Sequence, residues 1–264
     1  MRQIARNLWV ILVLVVWLLV CFAATMLLML VTLNVGISIW MARRVWSPVL
    51  VWSAGSTLEV HGVENVDPKR PTIYVSNHQS AADIPVLFMA IPADLRFVAK
   101  KSLSYVPVLG WYMLLAGYVF VDRGNRTKAI ASLERAAEKI RKGISLIMYA
   151  EGTRSEDGRI LPFKKGPFAL ALKSGVAVCP VTIEGTGRMM PKGRWHITPT
   201  RLKVKIGKPI DTSKYASDDR ERLIRDVRAV IVQQSLDLGG PGGMPGEDVA
   251  EAGVEGIGRP SGRE

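Results

Sequence analysis

Thr72-Ile73-Tyr74-Val75-Ser76-Asn77-His78-Gln79-Ser80-Ala81-Ala82-Asp83 is the stretch that sets the architecture of this 264-residue chain. Thr72 to Ser76, bounded by Pro71 in front and Asn77 behind, reads as a short buried strand rich in β-branched and aromatic side chains. The polar residues that follow lie beyond its carboxyl end, where α/β sheets place their ligands. His78 and Asp83 stand five positions apart. If a helix starts here, that spacing is about 1.4 turns, close enough for the carboxylate to reach the imidazole. An aspartate on one ring nitrogen fixes the tautomer and leaves the other nitrogen as a general base. Taken alone, the residues equally allow Asn77 to be a helix cap and His78 to be structural.

From about Val60 onward, short apolar runs alternate with amphipathic stretches. Residues 96–99, 119–121, 144–149, 177–183 and 202–206 are expected strands. Residues 127–142, 166–173 and 218–236 are expected helices, the first capped by Asn125 and stopped by Gly143. The alternation predicts an α/β fold: a central, largely parallel or mixed sheet flanked by helices, with an N-terminal hydrophobic membrane helix or two-helix hairpin. The expected division is an anchor over residues 1–58, an α/β domain over 59–238 and a tail over 239–264. That tail is rich in Gly and Pro and too short of large apolar side chains to order itself.

No charged residue occurs between Arg6 and Arg43, and residues 9–33 are almost wholly aliphatic. About 20 such residues cross a hydrocarbon core, and the run outlasts a signal-peptide core, so a retained anchor is expected. Arg2 and Arg6 before the run and Arg43 and Arg44 after it give no charge bias across the membrane. A second apolar stretch, residues 45–60, carries Trp46, Pro48 and Trp52; it makes a hairpin in one leaflet as open as a single pass.

The formal charge is +12. The acidic tail holds five acids and two bases, which leaves +15 on the rest. A basic body beside an oily segment points to an anionic lipid surface, and no nucleic-acid-binding signature is present. Cys21 and Cys179 lie in apolar runs, so neither a disulfide framework nor a metal site is expected. Both features fit a body facing a reducing cytoplasm.

Three further clusters stand at expected strand ends. Tyr149-Ala150-Glu151-Gly152-Thr153-Arg154-Ser155 offers a flexible backbone, hydroxyls and a guanidinium fork suited to phosphate. Arg123 ends Gly117-Tyr118-Val119-Phe120-Val121-Asp122, and Lys100 and Lys101 follow Phe97-Val98-Ala99. Pro180, inside Val178 to Ile183, suggests a ladder break.

Asn77-His78-x4-Asp83, Gly117-x2-Phe120-x2-Arg123, Glu151-Gly152-Thr153-Arg154 and Val178-x-Pro180-Val181-x-Ile183 resemble, in order and spacing, the four motifs of the glycerolipid acyltransferases. The nearest type is the 1-acyl-sn-glycerol-3-phosphate acyltransferase. The resemblance runs from about Val60 to Lys208. It implies transfer of an acyl chain from acyl-CoA or acyl-carrier protein to the sn-2 hydroxyl of lysophosphatidate, with no bound cofactor or metal. It makes His78 and Asp83 catalytic. Asn77, Lys100, Arg123, Glu151, Gly152, Thr153 and Arg154 become substrate-binding, the cations holding the phosphate. It also implies anionic lipid and the bilayer as partners, an acyl-carrier protein as a further candidate, and no nucleic acid. Another lysophospholipid or amino-lipid acceptor, or a lipid-binding protein without activity, are the alternatives.

Overall fold

A computed structural model describes residues 2–122, 126–194, 196–216 and 218–244. Its centre is one seven-stranded sheet in the order β1-β7-β6-β2-β5-β3-β4. The strands are β1 (Thr57–His61), β2 (Ile73–Ser76), β3 (Leu95–Lys100), β4 (Val119–Val121), β5 (Ser145–Tyr149), β6 (Val178–Glu184) and β7 (Arg201–Ile206). Five neighbours run parallel, and β7 meets β6 antiparallel. The sheet is therefore mixed, as the sequence leads one to expect.

Alternation along the central strands builds two cores. Tyr74 of β2, Ile147 of β5 and Val181 of β6 point to one face and meet Val86, Leu87 and Phe88 of α4 (Asp83–Ala90). Ile73, Val75, Leu146 and Met148 point to the other. There they pack on α6 (Arg126–Arg141), α7 (Gly166–Ser174) and α9 (Arg220–Asp237) through residues such as Ile140, Phe168 and Val227. Two short helices complete the body, α5 (Leu109–Leu115) and α8 (Thr186–Met189). The expected helix cap Asn125 lies outside the described residues.

The N-terminus is a helical hairpin. Its first arm, α1 (Arg2–Thr32), contains Ile11–Thr32, an apolar segment of mean hydropathy 3.0 that is long enough to cross a membrane. The chain reverses at Leu33, with φ +53°, and at Asn34, whose Oδ1 accepts from the Gly36 N–H at 2.8 Å. Residues 36–53 return as α2 (Gly36–Met41), a π-helical turn (Ala42–Trp46) and α3 (Ser47–Ser53). Trp46, Val51 and Ala54 are buried in the same core as α4, so the second arm is welded to the α/β body.

Three local readings change. The apolar stretch 45–60 is not one element but α3 followed by the edge strand β1. Arg43, at the end of the charge-free run, is tied to the α/β body; its guanidinium donates to the carbonyls of Phe88 (3.1 Å), Ile91 (2.7 Å) and Ala93 (2.6 Å), closing the carboxyl end of α4. The start of the tail is held in place. Ile160 N–H donates to Gly242 O at 2.8 Å, and Arg159 Nη1 donates to Gly243 O at 3.2 Å. Residues 245–264 lie outside the described residues.

Candidate active site

β2 leaves the sheet between β5 and β6, and its next residue fixes everything that follows. Asn77 is buried, donates from Nδ2 to Ile183 O at 2.9 Å and accepts the Ile183 N–H on Oδ1 at 2.8 Å. Its amide thus continues the β2–β6 ladder by one side-chain rung. Both ends of the amide are thereby engaged by the protein, a structural role beside the expected substrate-binding one. Asn77→Ala leaves a buried N–H and a buried carbonyl without partners. It is expected to lower stability by about 2–4 kcal/mol in denaturant unfolding. A variant as stable as the parent contradicts this role.

His78, partly exposed at 19%, then projects from the strand end. Its Nδ1 lies 2.6 Å from Asp83 Oδ2. The same oxygen accepts the backbone N–H groups of Gln79 (2.8 Å) and Ser80 (3.0 Å). Three donors thus converge on a fully buried carboxylate at the first turn of α4. Asp83 Oδ2 accepts the hydrogen bond of Nδ1–H, which leaves Nε2 as the lone-pair nitrogen. Tyr149 at the end of β5 lies flat on the imidazole, ring centroids 3.8 Å apart at 11°. Ring plane, tautomer and direction of His78 are thereby fixed. The loop itself is pinned farther on, by Ser80 Oγ donating to Met190 O at 2.7 Å.

The second cluster follows β5, the neighbour of β2. Glu151 is buried and its Oε1 accepts the His78 N–H at 3.0 Å, while Ser155 N–H donates to His78 O at 2.8 Å. Glu151 therefore ties one loop to the other. Burial raises its carboxyl to about 8, with the His78 and Leu161 N–H groups pulling the other way. The native state then holds a proton that the unfolded chain releases above about 4.5. Its contribution to stability is full below that pH and is lost as pH rises through about 8. Glu151→Gln keeps an acceptor for His78 N–H and cannot ionise, so thermal melts should show a flatter decline over that range. An unchanged pH slope contradicts the assignment.

Gly152 adopts φ +73°, a left-handed turn that favours glycine; Thr153 is exposed and Arg154 half-buried in the same loop. Lys100 is exposed at the carboxyl end of β3, on the far side of β5 from β2. Arg123 lies outside the described residues. Beside Tyr149 and Gly152 opens a cavity of about 330 Å³, walled by Val98, Met148, Ala150 and Lys164. Cys179 is buried, its thiol pushed up to about 12 by burial, which suits a core residue and not a nucleophile. Sequence reasoning missed the stacking partner Tyr149 and the helix-closing Arg43. An aromatic heading the Glu151 cluster was the only visible signal for the first.

The comparisons with known proteins fit this geometry. A family model described as acyltransferase matches residues 57–184, a span that contains His78, Asp83 and the Glu151 loop. The chain is 39% identical over 173 residues to a chloroplastic 1-acyl-sn-glycerol-3-phosphate acyltransferase of Brassica napus, covering 65% of this chain and 50% of that one. It is 35% identical over 203 residues to the 1-acyl-sn-glycerol-3-phosphate acyltransferase of Saccharomyces cerevisiae, covering 76% and 67%. The crystal structure of the 1-acyl-sn-glycerophosphate acyltransferase of Thermotoga maritima superposes with a TM-score of 0.78 at 32% identity, over 90% of this chain and 98% of that one. The chain belongs to the 1-acyl-sn-glycerol-3-phosphate acyltransferase family. It spans about half the length of the chloroplastic relatives it matches. As a member of this acyltransferase family it carries the expected fold, a mixed α/β sheet with flanking helices and an apolar N-terminal helix.

Proposed function

We propose that the protein transfers an acyl chain from a thioester, acyl-CoA or acyl-carrier protein, to the sn-2 hydroxyl of lysophosphatidate. The observation that carries this reading is the 2.6 Å contact between His78 Nδ1 and Asp83 Oδ2 at the carboxyl edge of the sheet. His78 Nε2 takes the proton of the sn-2 hydroxyl as its oxygen attacks the thioester carbonyl. Asp83 and the face of Tyr149 stabilise the imidazolium that forms. When the tetrahedral intermediate collapses, the C–S bond breaks and the imidazolium returns the proton to the departing thiolate. The attacking oxygen belongs to the substrate, so no acyl-enzyme is required.

Arg154, Lys100 and Arg123 are assigned to the acceptor's phosphate, with Gly152 and Thr153 shaping the loop around it. The neighbouring cavity of about 330 Å³ is apolar enough for part of an acyl chain. The apolar arm α1 would hold the body at the bilayer, where acceptor and product reside, with the basic α/β body on the cytoplasmic side meeting anionic lipid. Arg154→Ala should raise KM for lysophosphatidate about tenfold with a smaller change in kcat, as expected for a lost charge-assisted phosphate contact. An unchanged KM removes the residue from the phosphate site. A panel of acceptors, each assayed with both donor types, tests the proposed substrates directly: phosphatidate formation from lysophosphatidate must exceed acylation of lysophosphodiesters and amino-lipids.

A further inference from the structure

The outer edge of the sheet carries a second feature that the acyl-transfer chemistry does not use. Between α6 on one side and the 3₁₀ turn Lys101–Tyr105 with α5 on the other runs a groove of about 720 Å³ along the free edge of β4. Its size falls within the range of small-molecule and cofactor sites. Lys128, Ser132, Arg135 and Lys139 recur at helical spacing, so one stripe of α6 lines it from end to end. Lys101 faces them from the opposite wall, and Tyr105, Tyr118 and Phe120 give the groove aromatic sides.

The charge here is lopsided. Four cations line the groove against one acid, Asp122. Among the described residues, no carboxylate forms an ion pair with Lys101, Arg135 or Lys139. Lys139 is half-buried, and its charged neighbours, Arg96 and Lys142, are both cationic; burial and that repulsion hold its ammonium below the usual range. Asp94, just before β3, is already paired with the buried Arg96. A like-charged cluster in a partly desolvated groove is stabilised by a bound anion. The wall opposite α6 is built closely, since a Cβ at Gly110 would lie 2.3 Å from Ser104 O.

Position narrows the class of anion. β4 is separated from β2 by β3 and β5, three inter-strand steps, or about 14 Å from the strand that carries His78. The strands run parallel, so the Lys101, Asp122 and Lys128 end of the groove opens on the same edge of the sheet as His78. Lys139 Nζ and Arg96 Nε lie beside Gly117, at the amino ends of β4 and β3 and so at the end of the groove farther from His78; an acceptor whose reacting hydroxyl and phosphate sit on one glycerol does not reach that end. A thioester on a pantetheine arm does.

We propose that this groove binds the phosphate-bearing end of the phosphopantetheine thioester donor, leaving the arm to carry the thioester to His78. This rests on the acyl-transfer reading above. The pantetheine phosphate is common to acyl-CoA and acyl-carrier protein, and aromatic walls add a place for a nucleotide base.

The test is Arg135→Glu with Lys139→Glu in the full-length protein, with Arg135→Gln with Lys139→Gln as the milder pair should the charge reversal fail to fold. KM is measured separately for acyl-CoA, acyl-carrier protein and lysophosphatidate, and free CoA binding is measured calorimetrically without turnover. A rise in donor KM of about tenfold or more, with lysophosphatidate KM within about twofold, is the expected result for two lost cationic contacts. A rise for both donors locates the shared pantetheine phosphate; a rise for acyl-CoA alone locates the nucleotide phosphates. Unchanged donor KM in both pairs, or a shift confined to lysophosphatidate, overturns the proposal, as does wild-type protein that does not bind CoA. Wild-type protein that binds CoA through these residues yet transfers no acyl chain would instead sink the acyl-transfer reading and leave the groove assignment standing.

Discussion

His78→Ala is expected to lower kcat by about 10²- to 10⁴-fold, the range that a positioned general base supplies. KM for both substrates should change little, because the interaction removed is made as the proton moves and not on binding. The fold should survive. The ring is partly exposed, and its loss leaves Asp83 Oδ2 with two backbone donors, from Gln79 and Ser80. The backbone contacts that hold the loop, His78 N–H to Glu151 and Ser155 N–H to His78 O, do not depend on the side chain. Circular dichroism and membrane association should therefore match the parent while turnover collapses. Near-parental kcat in this variant removes His78 from the chemistry.

Asp83→Asn carries the second large effect, through charge alone. A carboxamide oxygen in the place of Oδ2 can accept the same three N–H groups, so the loop keeps its shape. What disappears is the negative charge that stabilises the imidazolium, and kcat should fall on the order of 10²- to 10⁴-fold. Asp83→Ala differs in kind: it strands three donors around a buried site and should cost about 1–3 kcal/mol of stability for each. Combining His78→Ala with Asp83→Asn should be no worse than His78→Ala alone, because the aspartate acts through the histidine. If Asp83→Asn retains parental kcat, the carboxylate is only a cap for α4 and its preceding loop.

The interior strands and long helices were legible because their signals are local. Ile73–Ser76, Ser145–Tyr149 and Val178–Glu184 are short apolar runs between turn residues, and each lies within a residue of its expected bounds. β1 escaped because its half-buried Leu58 and Val60 prolong the apolar run of α3, and its pairing partner β7 lies far along the chain. The roles of Asn77 and Glu151 escaped for the same reason. A polar residue beside the His78–Asp83 pair does not reveal its protein partner in sequence, and the partners are 106 and 73 positions away. Arg43 shows the limit most plainly: in sequence it marks the end of a charge-free run, in space it closes α4 from Phe88 to Ala93. The hairpin thus grips one end of the helix whose other end presents Asp83.

The most direct measurement uses the purified full-length protein in lipid vesicles with labelled lysophosphatidate and, in parallel, acyl-CoA and acyl-carrier protein. The account predicts phosphatidate with the new chain at the sn-2 position from at least one donor, and its loss in His78→Ala protein of unchanged fold. No phosphatidate from either donor, or undiminished product from His78→Ala, would contradict it.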